Sequence, residues 1–317
     1  MAVDPGDADV LHVVVPERVT FGTVGTVLEQ LEPSLRSAEA NEPCRLVLDM
    51  RAVKFCSPTG ITLLAAAMED LYRRGLLAEG AIRIPNRQFV LQYLERMNFF
   101  KELEVNLPTK LKPRKKSKKL HPVTHIRDEG EVASVVRGLV ETLRPEAKLD
   151  ERARGTLVSC VSEVVENVFY HAGSPIDALV CAQANSQHRR AELVIADTGR
   201  GIKEALTGVE AYRGQIDNDC AAIRLALEKN VTNTGDPHRG IGLWVVSEVI
   251  RSNGGELLIL SKEGGVRIGP NGDMNVFDHF WPGTLVVIEF KTDQPIDTVA
   301  VYGSAEFPNY GDDDLNF

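Results

Sequence analysis

The chain is organised around residues 162–171, which read SEVVENVFYH. In and before this stretch, apolar residues recur at spacings of three and four, which predicts an amphipathic helix over residues 151–172. The apolar residues are Leu157, Val158, Val161, Val164, Val165 and Val168. Glu163, Asn167 and His171 follow one another at intervals of four, so they lie along one line beside the apolar stripe. A carboxylate can take a proton from water or a hydroxyl group, and an amide oxygen is a hard ligand suited to Mg²⁺. The row of polar side chains therefore indicates a functional site, with a solvated helix face as the alternative.

Three further stretches place glycines where a strand or a helix meets a turn. Residues 193–202 read LVIADTGRGI, an apolar strand that ends in Asp-x-Gly-x-Gly. Residues 239–246 read RGIGLWVV, a Gly-x-Gly turn that opens a helix, and residues 282–290 read PGTLVVIEF, a turn that leads into a strand. Each stretch alone indicates no more than a turn. The order of the stretches and the intervals between them along the chain are more specific than any one stretch.

Together, the four stretches resemble the ATP-binding domain of the GHKL superfamily (the Bergerat fold, or histidine kinase-like ATPase), which gyrase, Hsp90, histidine kinases and MutL share. Within that superfamily, the pattern Glu-x-x-x-Asn-x-x-x-His without an upstream phospho-acceptor helix is most similar to the anti-sigma-factor serine kinases. The resemblance assigns residues 123–292 to this domain and implies an α/β two-layer sandwich with a mixed sheet and helices on one face. It also implies that the ligands are ATP and Mg²⁺.

The resemblance carries roles to particular residues of this chain. Glu163 would be the catalytic base that orients and deprotonates the attacking group, and Asn167 would hold the Mg²⁺ ion. Asp197 would accept a hydrogen bond from the adenine amino group, with a strand-end carboxylate that only caps a turn as the alternative. Gly199 and Gly201 lack a Cβ atom, so the chain could turn sharply against the base.

Further residues would surround the base or the phosphates. Thr284 would lie beneath the base and contact it. Gly240 and Gly242 would bring backbone N–H groups and the start of a helix to the phosphates, and Arg239 would add positive charge there. The other nucleotide-binding positions that the resemblance implies are Ile202, Ile241 and Leu243. It also implies that residues 202–239, in which the sequence predicts one helix over residues 220–229, form an ATP lid.

Residues 1–106 alternate strands and helices, which predicts an α/β domain with much parallel pairing. This order resembles a STAS domain, the fold of anti-sigma-factor antagonists, and implies a regulatory role. The family has Asp-Ser-Ser/Thr-Gly before one helix, with the first Ser phosphorylated, whereas this chain has Ser57-Pro58-Thr59-Gly60. Pro58 has no hydroxyl group, so ordinary phosphorylation of this domain is in doubt. Ser57 and Thr59 are interpreted as N-cap residues of the helix, with phosphorylation as the alternative.

Two segments lie outside the predicted domains. Residues 107–122 contain three prolines and seven lysines and arginines, which predicts a basic linker. A solvated spacer is the favoured interpretation of that linker, and a docking patch for an acidic partner is the alternative. Residues 293–317 end in GDDDLNF and are predicted to form a flexible acidic tail.

The composition bounds the class of protein. A length of 317 residues leaves room for two domains, and an apolar fraction of 43% allows each to bury a core. No run of about eighteen apolar residues occurs, and the acidic first residues differ from a signal peptide. The five scattered cysteines indicate a reducing cytoplasm. A net charge of -9 argues against nucleic acid as a partner. The sequence therefore predicts a cytoplasmic protein that binds neither membrane nor nucleic acid.

Two functions are open from the sequence. The first is a regulatory serine/threonine protein kinase of the anti-sigma-factor type that uses Mg²⁺-ATP and acts on a STAS-type partner or another protein of an anti-sigma pathway. The second is an ATP-switched interaction or homodimerisation module with slow ATPase activity and no phosphoryl acceptor, which Pro58 supports. A histidine kinase is a distant third, because His121 and His125 lie in a strand-like stretch rather than on a long helix.

Overall fold

A computed structural model describes residues 10–42, 45–77, 82–105, 107, 117–144, 146–147, 149–231, 241–272 and 274–296. It is an α/β structure in which the N-terminal and C-terminal parts each form a sheet. None of the helices within these ranges has the length and hydropathy that a bilayer span requires.

The N-terminal unit, residues 10–105, alternates short strands with helices. Its elements are β1 (Val10–Val14), β2 (Arg18–Val19), α1 (Val24–Glu39), β3 (Arg45–Asp49), β4 (Phe55–Cys56), α2 (Pro58–Arg73), β5 (Ile82–Arg83), α3 (Gln88–Arg96) and α4 (Phe99–Glu102). The strands pair in the order β1-β3-β5, with β2 beside β4, and all of these pairs are parallel. The predicted parallel pairing is therefore confirmed.

The C-terminal unit, residues 117–296, contains a large sheet. Its elements are β6 (Leu120–Ile126), α5 (Glu129–Leu143), α6 (Glu151–Asn167), β7 (Ala178–Asn185), β8 (Arg190–Asp197), α7 (Gly201–Thr207), α8 (Asp219–Ala226), α9 (Gly242–Asn253), β9 (Glu256–Lys262), β10 (Gly264–Ile268), β11 (Met274–Phe277) and β12 (Trp281–Lys291). The strand order is β11-β10-β9-β12-β8-β7-β6. Three helices of this unit begin at a capping side chain: Asp128 accepts from the Gly130 N–H, Asp150 accepts from the Ala153 N–H and Asn218 accepts from the Ala221 N–H.

The expectation of a mixed sheet is wrong, because every neighbouring pair in the seven-stranded sheet is antiparallel. Short connections explain two of these pairs directly. Residues 186–189 form the turn between β7 and β8, and only Glu263 separates β9 from β10. Connections of this length can join antiparallel neighbours only. The sequence analysis also missed β10 and β11.

The expectation that the helices of this unit pack on one face of its sheet is confirmed for α5, α6 and α9, whereas the cover on the other face was not predicted. Helices α5, α6 and α9 pack on one face, and their buried residues form one apolar cluster with that face. Helices α1 and α2 of the N-terminal unit pack on the other face, mainly against β12, β8 and β7. Residues of both units, among them Leu64, Ala67, Val194 and Trp281, belong to one continuous cluster. Fourteen of the sixteen residues of α2 are buried, as expected for a helix enclosed between two sheets.

Other boundaries differ by a few residues. The last three residues of the predicted linker, Leu120 to Pro122, begin β6, and residues 108–116 lie outside the described ranges. The described part of residues 202–239 holds two helices, α7 and α8, where the sequence predicted one, and residues 232–240 lie outside the described ranges. Of the predicted acidic tail, only residues 293–296 are described.

Candidate functional site

A cleft lies where the C-terminal end of α6 faces the ends of β8 and β12. It contains about 960 Å³ of non-protein space, part of which is open solvent. Eight of the predicted site residues line it: Glu163, Asn167, Asp197, Gly201, Ile202, Gly242, Leu243 and Thr284. The four stretches that are far apart in the sequence therefore meet at one cavity.

Helix α6 supplies one wall of the cavity. Glu163 and Asn167 lie on successive turns, and both line the cavity together with His171. The helix continues from Val168 to Ala172 as a π-helical turn, which ends at Gly173 with a φ of 58°. Because a π-helical turn is wider than an α-helical one, it offsets the end of the helix, and such turns are frequent at functional sites. The three polar side chains thus face the cavity rather than forming a merely solvated helix face.

Asp197 lies at the end of β8 and is only 3% exposed. Its Oδ1 atom accepts a hydrogen bond of 2.7 Å from the Gly199 N–H, so the turn-capping contact considered for it exists. Burial raises the pKa of Asp197 to about 6, and hydrogen bonds from Gly199 and Thr284 oppose that rise only in part. A buried carboxylate in a cavity wall can cap the turn and still accept a hydrogen bond from a ligand, since each oxygen has two lone pairs.

The glycines of the turn after β8 are required by close contacts. Gly201 has a φ of +80°, and a Cβ atom there would lie 2.8 Å from the Ser261 Oγ atom. A Cβ atom on Gly199 would lie 2.2 Å from the carbonyl oxygen of Ala172, which is far inside van der Waals contact. Gly199 is not itself part of the cavity lining, and its position instead brings the turn against the end of the α6 segment.

The start of α9 forms the opposite wall. The Ile241 N–H donates a hydrogen bond of 3.0 Å to the Glu163 Oε1 atom. A Cβ atom on Gly242 would lie within 3.0–3.1 Å of three Glu163 side-chain atoms, so the absence of a side chain at this position makes room for that carboxylate. The predicted phosphate-binding residues Arg239 and Gly240 lie outside the described residues.

Most of the apolar lining of the cavity was not predicted from the sequence. Val164, Val168, Ile195 and Val286 come from α6, its π-helical turn and the two strands, and Ala205, Leu206, Ala226 and Val231 come from the segment that follows β8. The spacing of Ile202, Ala205 and Leu206 at i, i+3 and i+4 was the signal that could have identified α7 as a wall of the site. Thr284, which was predicted beneath the base, pairs with Asp197 in the register of β8 and β12.

Ser57 and Thr59, the two hydroxyl positions at the start of α2, lie away from this cavity. Ser57 is 5% exposed and Thr59 is fully buried. Both hydroxyl groups donate to the Glu192 Oε1 atom, at 2.9 and 2.5 Å, and the Thr59 N–H donates to the same oxygen. The interpretation of Ser57 as a side-chain N-cap is therefore wrong, because the Glu192 carboxylate occupies the start of α2 instead.

Glu192 and Asp197 point to opposite faces of the sheet. Successive residues of a strand face opposite sides of the sheet. Ala191, Leu193 and Ile195 pack in the cluster on the helix face, so Asp197 is on that face too. Val194 packs in the cluster on the face that the N-terminal unit covers, so Glu192 is on that face. The two carboxylates are separated by five residues, which is about 16 Å along an extended strand. The Ser57 and Thr59 hydroxyl groups are therefore on the far side of the sheet from the cavity.

Neither a comparison with protein-family models nor a search of the curated proteins finds a match for this chain. The motifs and the geometry that brings them together are therefore the features that indicate a function.

Proposed function

We propose that this chain is a Mg²⁺-ATP-binding regulatory protein that transfers a phosphoryl group to a serine or threonine of a separate STAS-type protein. The observation that supports the proposal is the convergence of Glu163, Asn167, Asp197 and the start of α9 on one cavity. A carboxylate suited to a base, an amide oxygen, a buried acceptor and a helix N-terminus are the groups that binding and reacting with ATP require.

The residues fit the nucleotide by the chemistry of their groups. Asp197 would accept from the adenine amino group, and the apolar side chains of α7 and β12 would surround the ring. The Ile241 N–H and the start of α9 would receive phosphate oxygens, and Asn167, exposed beside them, would contact Mg²⁺. Glu163 now accepts from the Ile241 N–H, so the same N–H group is shared between the proposed base and the phosphate site.

The acceptor would be in another molecule. The Ser57 and Thr59 hydroxyl groups are buried, are bonded to Glu192 and lie on the other face of the sheet from the cavity. A folded chain cannot present them to its own cavity without removing α2 from the sheet. A STAS-type protein in solution, with an accessible hydroxyl, has no such restriction.

A second function, an ATP-switched interaction module, is favoured by one specific observation. The N-terminal unit covers the sheet face behind the cavity, so a change at the ends of β8 and β12 would reach the interface between the two units directly. In that case the chain would hydrolyse ATP slowly and change its association rather than modify a partner.

The test follows free phosphate and intact mass in a single incubation with Mg²⁺-ATP, with and without a purified STAS-type protein that carries the usual acceptor serine. We expect phosphoryl transfer to the added protein, and a loss of about 10²–10⁴-fold in Glu163→Gln, which retains nucleotide binding but lacks the base. Glu166→Gln, on the same helix but outside the cavity lining, is the matched control and should keep the wild-type rate.

The outcomes separate the two functions. Free phosphate without transfer to the STAS-type protein would favour the switch. An unchanged rate in Glu163→Gln would remove the proposed base. Failure of the wild-type protein to bind ATP would refute both functions.

A further inference from the structure

Helix α2 of the N-terminal unit contacts the turn that carries the proposed adenine acceptor. Asp70, near the C-terminal end of α2, is fully buried, and Thr198 is 2% exposed. The Thr198 Oγ1 atom donates a hydrogen bond of 2.8 Å to the Asp70 Oδ1 atom. Thr198 lies between Asp197 and Gly199, so the N-terminal unit holds the middle residue of the Asp-x-Gly turn.

Successive side chains at the end of β8 face opposite sides of the sheet, and this explains why Thr198 contacts α2. Asp197 faces the cavity, and Thr198, the next residue, faces the opposite side of the sheet, where α2 lies. The Thr198 N–H donates to the Ser174 Oγ atom at 3.2 Å, and the Trp281 Nε1–H donates to the Asp197 carbonyl oxygen at 2.9 Å. These bonds fix the turn from several sides. The bond that joins the turn to the N-terminal unit runs from the Thr198 hydroxyl group to Asp70.

Asp70 is itself held in place. Its Oδ2 atom accepts from the Arg74 Nε–H at 2.9 Å, and the Arg74 Nη1 atom donates to the Ala38 carbonyl oxygen at 3.2 Å. A buried carboxylate with both oxygens bonded to fixed donors is a rigid support, because moving it would leave a buried charge without its partners. A change in the position of α2 would therefore move Thr198 and, with it, the carboxylate beside it.

We propose that Asp70 is a positioning residue for the nucleotide site: through Thr198 it sets the position of the Asp197 carboxylate, so that the N-terminal unit controls adenine affinity and the preference for adenine over guanine. This inference rests on the proposed adenine-nucleotide function. The N-terminal unit then supports the nucleotide site through Asp70. Because coupling between two sites is reciprocal, nucleotide binding should in turn strengthen the packing of α2 on the sheet.

The test compares Thr198→Val with Thr198→Ser. The valine has nearly the shape of threonine but lacks the hydroxyl group, whereas the serine keeps it. Dissociation constants for ADP and GDP are measured by calorimetry on the full chain. Because a hydrogen bond to a charged group is strong, we expect Thr198→Val to weaken ADP binding by about tenfold and to reduce the preference for ADP over GDP. Asp70→Asn keeps an oxygen that can accept the bond but loses the charge, so we expect it to cause smaller changes in the same direction. Thr198→Ser should stay within about twofold of the wild type, and the double variant Asp70→Asn/Thr198→Val should lose no more affinity than Thr198→Val alone.

Glu69→Gln is the matched control. Glu69 precedes Asp70 on α2 and also crosses the interface, but it bonds to His125 on β6 rather than to the turn. We expect this variant to lower the melting temperature and to leave ADP binding within about twofold of the wild type. Wild-type affinity and selectivity in Thr198→Val, or an equal loss in Glu69→Gln, would overturn the inference while leaving the proposed function intact. No ADP binding by the wild-type protein would refute the proposed function and this inference with it.

Discussion

The interface between the two units contains a buried histidine between two carboxylates, and it predicts a pH-dependent stability. The His125 Nε2 atom lies 2.5 Å from the Glu69 Oε2 atom of α2, and its Nδ1 atom lies 2.7 Å from the Glu102 Oε2 atom of α4. Arg73 lies beside Glu69, and Lys101 lies beside Glu102. His125 is 8% exposed. A doubly protonated imidazole can donate to both carboxylates, whereas a neutral imidazole can donate to only one.

The sign and size of the effect follow from the pKa of His125. Burial acts to lower it, but the hydrogen bonds to Glu102 and Glu69 outweigh burial and raise the pKa from 6.5 to about 9. Stability from this group is therefore fully present below pH 6.5 and is lost as the pH rises through 9. At about 1.4 kcal/mol per pH unit, the free energy of unfolding should fall by up to about 3 kcal/mol across this range.

The measurement is urea unfolding at intervals from pH 6.5 to 9.5, with the wild type, His125→Asn and His188→Asn. His125→Asn should be less stable than the wild type at pH 6.5, and its stability should change little up to pH 9. His188 lies in the exposed turn between β7 and β8, so its variant should follow the wild-type curve. A His125→Asn profile that falls in parallel with the wild type between pH 7 and 9 would refute the assignment of the proton to His125.

Three further predictions concern the cavity and the two hydroxyl positions. Burial raises the pKa of Asp197 to about 6, so the carboxylate becomes protonated between pH 7 and pH 5. Adenosine affinity, measured by calorimetry, should fall by about tenfold over this range. The Asp197→Asn variant should lose this pH dependence. In thermal melts, Gly199→Ala should destabilise the protein by about 1–3 kcal/mol, because its Cβ atom would clash with a backbone carbonyl oxygen. Gly155→Ala, whose Cβ atom would meet nothing within 4 Å on α6, should stabilise it by about 0.5–1 kcal/mol. Ser57→Asp should destabilise the interface by more than Ser57→Ala, since it brings a second carboxylate against Glu192, and equal melting temperatures for the two variants would contradict this.

Sequence reasoning was most effective where one local pattern determines one element. The four-residue spacing of Glu163, Asn167 and His171 placed all three in one wall, because helical periodicity alone fixes which residues share a face. The apolar period of α9 is followed by Asn253, Gly254 and Gly255, a pattern that predicts a C-cap, and Gly254 has the φ of 66° that such a cap requires. Convergence on one cavity is a tertiary property, and it was predicted only through the resemblance of the four stretches to a known domain.

Sequence reasoning failed where the answer depended on what an element packs against. Helix α2 contains the run from Leu63 to Met68, which is apolar on every side, but a single apolar helix does not show which second surface covers it. The contacts of Glu192 could not be predicted, because only the docked position of α2 gives its carboxylate three donors. Strands β10 and β11 were not predicted, because they have only five and four residues and β10 begins with two glycines.

The alignment of α2 with β8 constrains any phosphoryl transfer by this chain. At its start, α2 holds Glu192 at the beginning of the strand, and near its end it holds Thr198 just past the strand. Transfer to Ser57 of the same chain would require breaking both contacts and the pairing of Glu69 with His125, and exposing a helix that is buried almost throughout. Each of those contacts involves a buried charge whose isolation is costly. Without an added partner, the absence of a mass gain is therefore the result that the kinase hypothesis itself predicts, and only incubation with a separate acceptor protein distinguishes a kinase from a switch.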